Sequence, residues 1–226
     1  PYAVINDFAF LDSLPERDRR GGIIEAIKVA LIRDAAFYSE LESMAESLSR
    51  LESSALERTI QRSAELHVEH ISTGGDPFEM GSARPLDFGH WAAHKLEQVS
   101  GFAVSHGEAV AIGMAVDLLY SVKRGILDAP TAERIISLIE RIGFVTYAPH
   151  LLEKNAGGEM TILAGLEEFR EHLGGQLTIT LVPEIGRKIE VHEMDRSLIV
   201  EAVQDLRERN RGRVLPFVQP LIATKV

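Results

Sequence analysis

The run "SHGEAVAIGMAVDLLYSV", residues 105–122, constrains the fold more than any other stretch of the chain. Ser105 and Glu108 form an S-x-x-E capping box, which places Ser105 at the N-cap and His106 in the first turn of a helix. Beyond it, Ala109, Val110, Ala111, Ile112, Met114, Ala115, Val116, Leu118 and Leu119 are apolar almost all round, so this helix is expected to be buried. Other periodic stretches around residues 16–33, 35–50, 54–71, 88–100, 129–142 and 195–209 also read as helices, the first with Pro15 where a helix can begin. Strand signals are sparse. "PYAVIND" at the start reads as a short strand, and "GQLTITLVPEIGRKIEVHEM" alternates and turns at "PEIG", which predicts a hairpin over about 176–191. The expected fold class is mainly α: one helical domain over 1–226 with a small β-hairpin.

Composition narrows the function classes. Of 226 residues, 45% are hydrophobic and 26% charged, enough to bury a substantial core. A net charge of -10 speaks against a partner recognised through a phosphate backbone, so no nucleic acid is expected. Without cysteine, disulfides and thiolate metal sites are excluded, and any metal must be held by His and carboxylate groups. The absence of cysteine also fits a cytoplasmic setting. The apolar runs are too short and interrupted to cross a membrane, and the first residues carry no secretion signal, so a soluble chain is expected.

Three of the eight histidines, His90, His94 and His106, fall within the segment 84–110. Two accounts are open: a metal centre, or a helical core with hydrogen-bonded imidazoles. His90 and His94 stand four apart and share a helix face, but without the glutamate of an H-E-x-x-H zinc-protease signature. Gly89 allows a close approach just before them, and Trp91, the sole tryptophan, is assigned to packing. His106 at a helix N-terminus is expected to be neutral, as a metal ligand must be. In "GGIIEAIKVALI", Glu25 and Lys28 are the only charged side chains of an otherwise apolar helix and stand three apart. They read either as an ion pair at a helix edge or as a carboxylate kept for a metal. His67 and His70 lie on a helix studded with Glu and Arg and read as a solvated face.

The combination of "VINDFAFLDSLP", "GGIIEAIKVALIRD", "LDFGHWAAHKLEQ" and "VSHGEAVAIGM", in this order, resembles the C-terminal half of the sugar phosphate cyclases, whose best-known member is 3-dehydroquinate synthase. The likeness covers roughly residues 1–210. It implies that Glu25, His90 and His106 ligate a divalent metal, zinc or cobalt, which acts as a Lewis acid and template. Lys28 resembles the family lysine that contacts substrate, and His94 the histidine that holds the transferred phosphate. The reaction so implied is a transient oxidation by NAD, elimination of phosphate, re-reduction, ring opening and an aldol closure. A homodimer is implied as well.

The chain lacks the family's glycine-rich phosphate loop, so the NAD-binding N-terminal domain is expected to be missing and the piece alone inactive. A metal-binding helical module without catalysis is the alternative. Asp87 stands where dehydroquinate synthases carry an asparagine, His67 where they carry a lysine, and Glu171 with His172 where they have a Lys-Lys pair; Arg84 is shifted by one place and followed by Pro85. Since the lysine and arginine positions contact the substrate in dehydroquinate synthases, the resemblance implies that these departures favour an uncarboxylated seven-carbon substrate such as sedoheptulose 7-phosphate over that of 3-dehydroquinate synthase. The expected substrate contacts are Lys28, His67, Arg84, Asp87, His94 and His172, with Lys28, Asp87 and His94 closest to the chemistry.

Overall fold

The computed structural model describes residues 3, 5–73, 87–172 and 175–213, and of His70, Ile71, Thr73 and His172 it describes no side chain. Its elements are α1 (Glu16–Arg33), α2 (Ala35–Ser43), α3 (Ala45–Ser49), α4 (Ser53–Thr73), α5 (His90–Val99), α6 (His106–Lys123), α7 (Ala129–Arg141), α8 (Ala164–His172), the strands β1 (Ile179–Glu184) and β2 (Arg187–Val191), and α9 (Arg196–Arg209). The fold is that of a mainly helical domain with one antiparallel hairpin. No helix among the described residues is long and apolar enough to cross a membrane.

Helix α6 is the centre, as its apolar circumference demands. It is packed by α1, α5, α7, α9 and β1, and Ala109 to Leu118 are all buried. The capping box forms: Glu108 Oε2 accepts from the Ser105 amide at 2.8 Å. Arg17 on α1 extends this cap, donating from Nε to Glu108 Oε1 at 3.0 Å and from Nη2 to the Ala103 carbonyl at 2.6 Å. The start of α1 is thereby tied to the start of α6.

Two glycine contacts set how closely the site-bearing helices approach. A Cβ on Gly107 would come within 2.5 Å of Gly21 Cα, so α6 crosses α1 backbone to backbone just after His106. Gly89 has φ +79°, a left-handed conformation, and a Cβ there would lie 2.5 Å from the Met114 amide of α6. Only glycine meets both conditions, and His90 follows it immediately.

Several expectations need correction. The N-terminal strand is absent from the described residues 3 and 5–7. Instead Asp7 caps a 3-10 helix at Phe8–Ser13, accepting from the Ala9 amide at 3.0 Å, and Ile5 is exposed with no strand beside it. The single helix expected over 35–50 is broken at Met44 (φ -94°, ψ 7°), where the Ser43 hydroxyl donates to the Glu40 carbonyl at 2.7 Å. Helix α8 was not among the expected helices, although Leu163, Leu166 and Phe169 recur at helical spacing; it forms against α5, with Gly165 close over the Trp91 carbonyl. The hairpin stands close to its expected place, with Ile179 opposite Val191 and Leu181 opposite Ile189. Its register shifts between Leu181 and Glu184, where Pro183 has no amide to donate.

Candidate metal centre

Helices α1, α5 and α6 meet so that Glu25, His90 and His106 each offer a ligand atom within 4.8 Å of the others. Glu25 comes from the middle of α1, His90 opens α5 and His106 opens α6. His90 is buried, and its Nδ1 lies 3.1 Å from the Phe88 carbonyl. A carbonyl can only accept, so this bond assigns the proton to Nδ1 and leaves the Nε2 lone pair facing Glu25 and His106. Burial, followed by the charge of Lys28, pushes the His90 imidazole down to about 4, so it is neutral at ordinary pH.

Glu25 is where the two sequence accounts meet. Its Oε2 accepts from Lys28 Nζ at 2.5 Å, so the ion pair exists, with Lys28 buried and 3.4 Å from His90 Nε2. Its other oxygen, Oε1, is buried with no hydrogen-bond partner, and the nearest imidazole nitrogen, His106 Nε2, stands 3.6 Å away. Burial raises this carboxyl, but the His106 imidazole and the Lys28 ammonium outweigh it and hold it at about 2. A carboxylate ionised at ordinary pH, with an orphaned buried oxygen facing an imidazole, suits a divalent cation, and the set lacks any competing thiolate.

His106 departs from expectation in one respect. Its side chain is 47% exposed and its imidazole is raised above the usual histidine value, first by the Glu25 carboxylate facing its Nε2 and, against some burial, also by Glu97. Two adjacent carboxylates outweigh the helix dipole that was expected to lower it. The stacked ring of His94 lies 5.8 Å from that of His106, centroid to centroid.

The remaining expected residues divide. His94 and Asp87 share a cavity of about 530 Å³ between α5 and α8, with Trp91, Lys95, Phe102 and Phe169. His67, exposed on α4, instead shares with Glu25 a second, more apolar cavity of about 420 Å³. Lys28 reaches two of the three candidate ligands directly, Glu25 and His90. Arg84 and Pro85, and the side chains of His172 and His70, lie outside the described residues, while Glu171 is exposed at the end of α8.

Two acids that the sequence reading passed over belong to this centre. Glu97 Oε2 lies 3.3 Å from His106 Nδ1 and 3.4 Å from His94 Nδ1. Asp117, fully buried on α6, accepts from the Trp91 indole at 2.8 Å and from the Gly89 amide at 3.0 Å, anchoring the turn from which His90 projects. Trp91 therefore has a polar role beside its packing. A lone acid inside an apolar helix was a signal available for Asp117, as it was for Glu25.

Comparison with known proteins settles the lineage. The family model for the 3-dehydroquinate synthase C-terminal domain matches residues 22–161. The chain belongs to this family. The 3-dehydroquinate synthase of Nitrosospira multiformis is 33% identical over 207 residues, covering 91% of this chain and 54% of the relative. That of Acidithiobacillus ferrooxidans is 33% identical over 213 residues, covering 94% and 56%. The chain thus spans about half the length of the curated relatives it matches. Among solved structures, 2-epi-5-epi-valiolone synthase from Streptomyces hygroscopicus subsp. jinggangensis, with NAD+ and Zn2+ bound, superposes with a TM-score of 0.78 at 26% identity, over 90% of this chain and 55% of that one. A 2-deoxy-scyllo-inosose synthase complexed with carbaglucose-6-phosphate, NAD+ and Co2+ shares the fold at TM-score 0.69 and 20% identity, over 88% and 55%.

Proposed function

We propose that this chain is the metal- and substrate-binding part of a metal- and NAD-dependent sugar phosphate cyclase, a carbon–oxygen lyase that eliminates phosphate from a seven-carbon sugar phosphate such as sedoheptulose 7-phosphate. The observation that carries the metal reading is the orphaned Oε1 of Glu25, buried beside His90 and His106. In this reading Glu25, His90 and His106 hold zinc or cobalt. The cation supplies Lewis-acid chemistry and NAD a reversible hydride acceptor. The zinc and NAD+ of the valiolone synthase structure support both cofactors.

The chain's own residues then have distinct tasks. Lys28 places a cation beside the ligands, where it can meet a substrate oxygen or phosphate. His94 is more than half exposed and holds the phosphate from the α5 side. Asp87, in the same cavity, accepts hydrogen bonds from hydroxyl groups of an uncarboxylated substrate end. His67 and, with side chains outside the described residues, Arg84 and His172 complete the proposed substrate contacts. The assembly so read is a cytoplasmic homodimer, and NAD is bound mainly by a further domain, so this piece alone is inactive.

Metal analysis tests the first half. The purified protein should hold about one zinc or cobalt per chain, and Glu25→Gln, His90→Ala and His106→Ala should each abolish it while His70→Ala does not. Retention by His90→Ala together with loss in His70→Ala would refute the assignment. A second reading, 3-dehydroquinate synthase, is supported by the names of the curated relatives. Phosphate release by the full-length enzyme with NAD and metal, compared on sedoheptulose 7-phosphate and on the carboxylated heptulosonate, separates the two: a higher kcat/KM on the latter decides for the second.

A further inference from the structure

The cluster beside the proposed ligands is arranged around a single oxygen. Glu97 sits on α5 one turn beyond His94 and two turns beyond His90, and its side chain is only 17% exposed. Its Oε2 faces Nδ1 of both His94 and His106, at 3.4 and 3.3 Å. The opposite nitrogen of His106, Nε2, faces Glu25. A carboxylate accepts only, so a bond to Glu97 requires a proton on His106 Nδ1, and with a cation between Nε2 and Glu25 the Nε2 lone pair is left for it. His106 is nearly half exposed, so packing alone does not fix its ring.

The geometry points to Glu97 as a positioning residue that sets the tautomer and orientation of His106 for metal binding and holds the His94 ring against it. This rests on the metal reading given above. His90 needs no such acid, because the Phe88 carbonyl does the same for it. His106, at the first residue of its helix, has Glu97 in that place.

Zinc affinity by competition with a chromophoric chelator, on the full-length protein, tests this in Glu97→Gln, Glu97→Ala, His106→Ala and the double variant Glu97→Ala/His106→Ala. Loss of the outer carboxylate should weaken zinc by roughly 10–100-fold in Glu97→Ala, with a smaller loss in Glu97→Gln, whose amide oxygen still accepts. In the His106→Ala background, Glu97→Ala should add nothing. Long-range ¹H–¹⁵N spectra of the zinc-bound wild type should show His106 protonated on Nδ1, a signature that a merely structural role does not require. Wild-type affinity in both Glu97 variants overturns the inference, as does a loss that simply adds to that of His106→Ala. Two zinc ions per chain, the second lost in His94→Ala, also overturn it, because His94, Glu97 and His106 would then be a cation site themselves. Absence of zinc from the wild type instead refutes the metal reading beneath it. If Glu97→Ala does not fold, Glu97→Gln and the spectra decide.

Discussion

Replacing Asp117 by Asn changes one buried atom and has a calculable, pH-dependent outcome. Asp117 is completely buried and accepts from two buried donors, the Trp91 indole and the Gly89 amide. Asn keeps a carbonyl for one of them and turns an NH2 group toward the other, so one buried hydrogen bond is lost at a cost of about 1–3 kcal/mol. Against this stands the carboxyl's own titration. Burial raises it from 3.8 to about 7, more than the two N–H bonds lower it. Between those values the folded state retains a proton that the unfolded state has released, so stability falls as pH rises through the window. From pH 5 to pH 8 the wild type therefore loses at most about 3 kcal/mol through this group, two units at about 1.4 kcal/mol each. Asp117→Asn has no such loss, and titrations elsewhere cancel in the difference between the two proteins. Urea unfolding of the chelator-treated proteins, followed by the fluorescence of Trp91, measures that difference at pH 5 and pH 8. The variant should be clearly weaker at pH 5 and close to the wild type, or more stable, at pH 8. A deficit that stays constant or grows with pH would show that Asp117 carries its charge throughout and that its two N–H bonds outweigh burial.

Zinc at about 100 times its dissociation constant should add about 2.7 kcal/mol to folding and raise the Tm by roughly 5–10 °C. Glu25→Gln should show no such shift; a full shift there means that the cation binds elsewhere. Gly89→Ala must place a Cβ 2.5 Å from the Met114 amide at a φ of +79°. It should cost at least about 2 kcal/mol in urea unfolding and weaken zinc retention through His90, whereas wild-type values for both would show that the α5–α6 contact has room to move.

Much of this architecture is legible in the chain because burial leaves a direct mark on residue choice. The apolar circumference of 109–119 marked α6 as a buried helix, and the capping box fixed its start. Glu25 and Lys28 stood out as charges in an apolar run, and the structure makes their ion pair while leaving Glu25 Oε1 over. The break at Met44 was not legible, since it depends on a local hydrogen bond, and α8, whose Leu163, Leu166 and Phe169 do recur at helical spacing, is too short for that pattern to stand out before it packs on α5. Over the described residues 3 and 5–7 the expected N-terminal strand does not form for a related reason: a run of β-formers makes a strand only beside a partner, and none is present there among the described residues.

The site residues were legible unevenly, and the division follows their distance from the ligand atoms. Glu25, His90 and His106 are chemically conspicuous, each a potential ligand at an unusual place. Asp117 carried the same mark, a lone acid in an apolar helix, but Glu97 did not, because an acid acting on another side chain is visible only once that side chain's free nitrogen has a direction. Direction is a tertiary property. It comes from Gly89 and Gly107, whose missing side chains let α1, α5 and α6 cross close enough for His106 Nε2 to face Glu25 and Nδ1 to face Glu97. Any substitution that separates these helices should therefore affect the proposed metal centre before it affects the core, since Ala109 to Leu118 of α6 are buried while two of the three proposed ligands lie at least one-third exposed at its entrance.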